Sequence, residues 1–135
     1  MRMLRILTLA GMTLALTGAF GILDSRPNSQ LQQVKQVIKR VSKKEFKEKL
    51  NTLNDVQLID VRTPGEFKGG TIKGAINIDY NSSSFNALIA QLDKTKPTLI
   101  FCHSGGRSAK ALQKFKLINF EYVLELEGGY SAWIK

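Results

Sequence analysis

From Val37 onward, short apolar segments typical of β-strands alternate with longer segments that have the periodicity of amphipathic helices. Strands that alternate with helices usually form βαβ units, in which helices cover a parallel sheet. The sequence therefore predicts an α/β fold with a five-stranded, mostly parallel sheet flanked by helices on both faces. The predicted strands are residues 37–41, 56–61, 75–78, 98–101 and 121–126.

Capping signals locate several helix ends. Ser42 and Glu45 have the spacing of a capping box, which predicts a helix that begins just after Ser42. Pro64 suits the first turn of a second, short helix, and Gly69-Gly70 would end it. Asn119 is expected to adopt the left-handed conformation that closes a later helix.

The amino-terminal residues predict export. Arg2 and Arg5 precede an uncharged apolar run over residues 6–23, and this order is typical of a secretory signal peptide. We therefore interpret residues 1–23 as a signal peptide that directs the protein out of the cytoplasm, in a bacterium to the periplasm. The alternative is an uncleaved membrane anchor through residues 6–23, because this run is at the lower limit of the length that crosses a bilayer.

Residues 24–36 are polar and predict a linker, followed by a single domain over residues 37–135. The formal charge of +9 comes largely from residues 35–49, where Phe46 is the only aromatic residue. Surfaces that bind nucleic acids usually combine cations with aromatic side chains, so no nucleic-acid partner is expected. We interpret these cations as a solvated linker and helix face, with attraction of small anions or an anionic lipid surface as the alternative.

Cys102 is the only cysteine of the chain, and it follows the apolar segment 98–101 directly. A glycine-rich turn and a helical segment come next, so the thiol is expected to face backbone N–H groups and the positive end of a helix. These surroundings favour the thiolate, which is the nucleophilic form of cysteine. We predict that Cys102 is a nucleophile, with a buried, inert core cysteine as the alternative.

Three segments of the chain resemble the rhodanese family of sulfurtransferases. Residues 58–78 contain Asp-Val-Arg-Thr-Pro, residues 100–109 contain Cys-His-Ser-Gly-Gly-Arg-Ser, and residues 126–133 contain Glu-Gly-Gly-Tyr-Ser-Ala-Trp. They occur in the order and at the spacing of the family, although Thr71 stands where many members have histidine. The resemblance covers residues 37–135 and implies a rhodanese-like domain with a five-stranded parallel sheet.

The same resemblance implies a sulfurtransferase in which Cys102 carries the sulfur. The thiolate would attack the sulfane sulfur of a small anionic donor such as thiosulfate, sulfite would leave, and a persulfide would remain on the cysteine. The acceptor would be cyanide or a thiol, which includes a thiol of a partner protein. This chemistry requires no metal and no organic cofactor.

The loop after Cys102 supplies the predicted substrate-binding residues. Their backbone N–H groups would surround the negative charge on sulfur, and Gly105 and Gly106 would allow the loop to curl tightly. Arg107 is expected to bond loop carbonyl groups or a bound oxyanion. His103 is expected at the rim, where it would influence the choice of donor. The predicted set is His103, Ser104, Gly105, Gly106, Arg107 and Ser108.

Two further residues lie at the end of the strand over residues 56–61, which should reach the same edge of the sheet as Cys102. Asp60 is predicted to give structural support, by accepting hydrogen bonds from the loop amides or from Ser108. Arg62 is predicted either to pair with Glu66 or to bind the substrate.

Two other functions compete with sulfur transfer. Cysteine-dependent phosphatases and arsenate reductases have a Cys-x5-Arg loop, whereas only four residues separate Cys102 from Arg107. This shorter loop suits a single sulfur atom better. The other alternative is a non-catalytic rhodanese-like binding module, and such modules typically lack the cysteine.

Overall fold

The computed structural model describes residues 35–135. The predicted signal peptide or anchor over residues 1–23 lies outside these residues. So does the predicted linker, apart from residues 35 and 36, which belong to no helix or strand. Within residues 35–135, no helix is long and apolar enough to cross a membrane.

The described part of the chain alternates five strands with five helices, as predicted. Their order is β1 (Val37–Val41), α1 (Lys43–Thr52), β2 (Gln57–Asp60), α2 (Pro64–Lys68), β3 (Ile76–Asn77), α3 (Phe85–Ala90), β4 (Thr98–Phe101), α4 (Gly106–Leu117), β5 (Tyr122–Leu126) and α5 (Gly129–Trp133).

The five strands form one sheet in the order β1-β5-β4-β2-β3, and every neighbouring pair is parallel. The predicted α/β fold with a parallel sheet is therefore confirmed. All four residues of the central strand β4 are buried. In the register of β2 and β4, Asp60 lies opposite Phe101, so both strands end at the same edge of the sheet. This edge holds Asp60 and Cys102, as the parallel arrangement requires.

Helices cover both faces of the sheet. Because successive strand residues point to opposite faces, Ile100 packs in one cluster and Phe101 in the other. The first cluster includes Phe115 of α4, and the second includes Phe46 of α1. Cys102, the residue after β4, belongs to the first cluster and lies on the face of the sheet that α4 covers.

Local capping places the helices close to their predicted ends. Ser42 Oγ accepts the backbone N–H of Glu45, whereas the Glu45 carboxylate pairs with Lys39 and does not complete the capping box. A complete capping box forms instead between Thr63 and Glu66, at the start of α2. Asn119 has the predicted left-handed conformation, with φ of 65°.

Three strands are shorter than predicted, because β2 and β3 each lack one residue at both ends and β5 lacks the first. Strand β3 pairs with β2 through Ile76 and Asn77 only, because it is a brief edge strand. Helix α3 ends at Ala90 and buries Phe85 and Ile89, whereas Leu88 is 40% exposed. A helix of this length presents only a narrow face to the core.

Candidate active site

The Cys102 thiol lies at the carboxyl end of the central strand and is almost completely buried, with 1% of the residue exposed. Its Sγ atom is 3.1 Å from the backbone nitrogen of Gly105, which donates a hydrogen bond to it. The hydroxyl of Ser108 lies 3.3 Å from the same sulfur. The loop therefore directs both a backbone donor and a side-chain donor at the only thiol.

The shape of the loop depends on Gly105. This residue precedes α4 and has φ of 101°, a left-handed conformation that side chains rarely adopt. A Cβ atom at Gly105 would also lie 3.3 Å from Arg40 Nη2. Gly106 has no positive φ, and a Cβ there would meet open space. The expectation that both glycines are needed for the curl is therefore correct for Gly105 and wrong for Gly106.

Residues of α5 hold the outer side of the loop. The backbone nitrogen of Tyr130 donates to the carbonyl oxygen of Cys102 at 2.7 Å, and that of Ser131 donates to the carbonyl of His103 at 2.9 Å. A Cβ atom at Gly129 would lie only 2.5 Å from the Cys102 oxygen, so glycine permits this close approach. With its carbonyl groups bound on the outside, the loop can turn N–H groups toward the sulfur.

Hydrogen bonds overcome the effect of burial on the thiol. Burial, the largest single influence, raises the pKa of Cys102. Hydrogen bonds from the Ser108 hydroxyl and from the backbone N–H groups of Ser108, Gly105 and Ser104 together lower it below the ordinary value of 9.0. The positive end of α4 lies beside the same atoms and also favours an anion. The site therefore favours the nucleophilic thiolate.

A buried carboxylate that the sequence analysis missed lies behind Ser108. Glu125, the penultimate residue of β5, is fully buried, and its Oε1 atom lies 2.5 Å from Ser108 Oγ. Arg40 donates from Nε to Glu125 Oε2 at 2.5 Å, and from Nη2 to the carbonyl of Gly105 at 2.9 Å. The sequence feature that could have predicted this carboxylate is a single acidic residue within an otherwise apolar strand of a parallel sheet.

The carboxylate of Asp60 is buried and has partners other than the predicted ones. Arg62 donates from Nε and Nη2 to the Asp60 carboxylate, with Nη2 at 2.7 Å from Oδ2, and Thr71 donates its hydroxyl at 2.8 Å. The predicted bonds from the loop amides or Ser108 to Asp60 are therefore wrong. They are absent because the carboxylate faces Arg62, whereas Ser108 faces Glu125.

Arg62 does not pair with Glu66, contrary to one expectation. Its side chain is buried, and besides Asp60 it binds the carbonyl of Gly70 at 2.6 Å and covers the ring of Tyr130, 4.3 Å from the ring centre. The positive charge of Arg62 is thus compensated by Asp60 and shielded from solvent, which argues against the predicted role in substrate binding. That role stays a prediction.

Arg107 takes the partner that was expected for Arg62. Its Nη1 and Nη2 atoms donate to the two carboxylate oxygens of Glu66 at 2.7 and 2.8 Å. The predicted bonds from Arg107 to loop carbonyl groups are therefore wrong. The carbonyls of Cys102 and His103 accept hydrogen bonds from α5 instead.

His103 is exposed at the rim of the loop, where its Nε2 atom lies 3.2 Å from Ser131 Oγ. The loop thus brings Ser104, Gly105 and Ser108 around the sulfur and leaves His103 outside. Within residues 35–135, no three His, Cys, Asp or Glu side chains are grouped so that they could hold a metal ion. The site therefore consists of a buried thiol with several hydrogen-bond donors directed at its sulfur.

Comparisons with known proteins agree with this geometry. Residues 42–135 match the family of rhodanese-like domains. Thiosulfate sulfurtransferase GlpE of Shewanella oneidensis is 36% identical over 78 residues, which are 58% of this chain and 75% of that protein. Thiosulfate sulfurtransferase 16, a chloroplastic protein of Arabidopsis thaliana, is 36% identical over 87 residues, with 57% of this chain and 72% of that protein covered.

Solved structures show the same architecture. A rhodanese-like domain protein from Staphylococcus aureus has a TM-score of 0.62 and 32% identity, over 70% of this chain and 90% of that chain. The human single-domain sulfurtransferase TSTD1 has a TM-score of 0.58 and 26% identity, over 70% of this chain and 94% of that chain. Because the family match covers more than half of the sequence, this chain belongs to the rhodanese-like domain family.

Proposed function

We propose that this protein is a sulfurtransferase that carries sulfane sulfur on Cys102 as a persulfide. The observation that carries the proposal is the hydrogen bonding of Cys102 Sγ. This atom accepts a hydrogen bond from the backbone N–H of Gly105, and the Ser108 hydroxyl lies beside it. These donors favour a sulfur anion at the start of α4, which is what the reaction requires. Relatives that are named as sulfurtransferases support the reaction class.

The proposed reaction has two steps. In the first, the Cys102 thiolate attacks the outer sulfur of a donor such as thiosulfate, the sulfur–sulfur bond of the donor breaks, and sulfite leaves with its electron pair. Cys102 then carries a persulfide whose outer sulfur is negatively charged. In the second step, an acceptor nucleophile forms a bond to that outer sulfur, and the Cys102 thiolate is released.

The charges around the loop support a small anionic donor. Arg40 and Arg107 each interact favourably with a negative charge on Cys102. Because the thiol is almost fully buried, a terminal sulfur atom reaches it more readily than a bulky group does. We propose cyanide or a thiol as the acceptor, including a thiol of a partner protein, with the backbone N–H groups of residues 103–108 as the binding surface for the donor.

Two observations favour sulfur transfer over hydrolysis of a phosphoester. Four residues separate Cys102 from Arg107, and a loop of this length suits one terminal sulfur atom better than a phosphoryl group that it would have to enclose. The Arg107 guanidinium also binds Glu66 on α2 and not the loop.

We also propose that residues 1–23 export the domain, in a bacterium to the periplasm, or anchor it to the membrane through residues 6–23. The support is the basic start and the uncharged apolar run of the sequence. Cell fractionation tests this proposal, because a full-length product in the cytoplasm would contradict it.

Intact-protein mass spectrometry after incubation with thiosulfate tests the reaction. We expect a gain of one sulfur atom, which cyanide removes and which the Cys102→Ala variant does not show. Circular dichroism of the variant establishes that it is folded. Hydrolysis of a phosphoester without any sulfur adduct would contradict the proposal and support the phosphatase alternative.

A further inference from the structure

Ser108 lies between two groups that both require its single hydroxyl proton. Its oxygen is 3.3 Å from Cys102 Sγ and 2.5 Å from Glu125 Oε1. A hydroxyl donates only one hydrogen bond at a time, so Ser108 cannot serve a thiolate and a carboxylate together. All three residues are buried, with at most 1% of each exposed, so water does not substitute for the missing donor.

The short distance between Ser108 and Glu125 requires one proton between their oxygen atoms. An oxygen–oxygen distance of 2.5 Å is that of a strong, charge-assisted hydrogen bond. If Ser108 turns its proton toward a Cys102 thiolate, Glu125 must hold a proton and donate it to the Ser108 oxygen. If Glu125 is ionised, Ser108 donates to it and accepts from the thiol.

Charged groups from several elements surround this cluster. Arg40 of β1 pairs with Glu125, and it also interacts with Glu127 at the end of β5 and with Cys102. Arg107 of α4 interacts with Cys102 while paired with Glu66. The Arg40 side chain is 45% exposed, whereas the Glu125 side chain is fully buried. Arg40 therefore attracts a negative charge on the carboxylate, with which it is paired, and also one on the sulfur.

We propose that Glu125 is a positioning residue that takes up the thiol proton of Cys102 through the hydroxyl of Ser108. The sulfur–hydrogen bond breaks as its proton passes to Ser108 Oγ, and the original Ser108 proton passes to Glu125 Oε1. The negative charge moves from the carboxylate to the sulfur, and the net charge of the site is unchanged. Ser108 then donates to the thiolate, and the Glu125 acid donates to Ser108.

This relay has a signature in the pH dependence of thiolate formation. The relay begins from the state in which Cys102 and Glu125 each hold a proton. After the first proton is lost, Cys102 and Glu125 share the remaining proton, so only a fraction of the Cys102 side chains are thiolates. Loss of the second proton converts the rest to thiolates. The fraction of thiolate therefore rises in two steps. If no proton is shared, it rises in one.

The rate of Cys102 alkylation by iodoacetamide, measured against pH, reports these steps, and the ultraviolet absorbance of the thiolate provides a second readout. We expect two steps in the wild-type protein. Glu125→Gln keeps the size of the side chain but accepts no proton, so the step at lower pH should be lost. Glu127→Gln is the matched control, since it removes the same charge two residues along the chain at an exposed position and should retain both steps.

Ser108→Ala provides an independent test, because it removes only a hydroxyl and should also abolish the step at lower pH. Infrared spectroscopy between the two steps should show a protonated carboxyl group in the wild-type protein that is absent from Glu125→Gln. Equal numbers of steps in the wild-type and Glu125→Gln proteins would overturn the relay, and so would loss of a step in Glu127→Gln. If Glu125→Gln does not fold, the Ser108→Ala profile decides.

The relay rests on the proposed function only in that Cys102 is the reacting thiol. Alkylation needs no sulfur donor, so the two proposals fail separately. Two steps without any persulfide would contradict sulfur transfer alone. A persulfide with a one-step profile would contradict the relay alone.

Discussion

Arg107 and Glu66 form a bidentate ion pair that joins α4 to α2, with nitrogen–oxygen distances of 2.7 and 2.8 Å. The residue that closes the loop in sequence thus anchors a neighbouring helix. Hydrogen bonds from Arg107 are the main reason that the pKa of Glu66 is lowered from 4.5 to about 2, and Thr63 contributes further hydrogen bonds. Titration of Glu66 therefore reports the strength of this connection.

Replacement of Glu66 by Gln should make protein stability less dependent on pH below 4.5. A carboxylate whose pKa is lower in the folded state stabilises it above the unfolded pKa, and this contribution is lost as the pH falls toward 2. Since both side chains are partly exposed, we expect a difference of about 1 kcal/mol in unfolding free energy at neutral pH. Urea denaturation at several pH values measures it. A difference that stays constant down to pH 2 would contradict this assignment.

Gly105→Ala and Gly106→Ala should have opposite consequences although the residues are adjacent. Gly105 has φ of 101°, so alanine there should destabilise the protein by about 1–3 kcal/mol and reduce sulfur transfer. Gly106 has ordinary helical geometry with open space, so alanine there should be neutral or stabilise by up to about 1 kcal/mol. Thermal denaturation and the persulfide assay distinguish the two variants. Equal losses in both would show that the loop rejects any side chain.

Several features of the fold follow from local chemistry and could be predicted from the sequence. The apolar segments around Leu58, Leu99 and Leu124 became the buried centre of the sheet, because only burial on both faces suits such runs. Asn119 adopts the predicted left-handed conformation, because asparagine tolerates it better than most residues. The position of Cys102 at the end of β4 followed from the same reasoning.

The pairing of charged side chains could not be predicted in the same way. Asp60 and Arg62 are two residues apart and share one side of the chain, which was a usable signal. The choice of Arg107 as partner of Glu66 depends on how α2 and α4 approach each other, and no local pattern encodes that distance. Arg40 and Glu125 are 85 residues apart and meet only because β1 and β5 are neighbours in the sheet.

Removal of Arg62 should destabilise the fold strongly. Arg62→Ala would leave the carboxylate of Asp60 buried without its cation, and such a loss costs about 3–5 kcal/mol. Lys39→Ala is the matched control, because it breaks an exposed pair with Glu45 and should cost at most about 1 kcal/mol. Urea denaturation compares them. An Arg62 variant with wild-type stability and a raised KM for thiosulfate would instead restore the predicted role in substrate binding.

His103 should affect donor selection and not the chemical step. Its imidazole lies at the exposed rim, with Nε2 3.2 Å from Ser131 Oγ, and sulfur transfer to a thiolate needs no general base at this position. We expect His103→Ala to change the KM for thiosulfate while kcat falls less than about tenfold. Ser131→Ala is the control that retains the ring but removes its hydrogen-bond partner. A general base contributes about 100-fold or more, so a kcat loss of that size, with an alkylation rate equal to the wild type, would show that His103 takes part in the reaction itself.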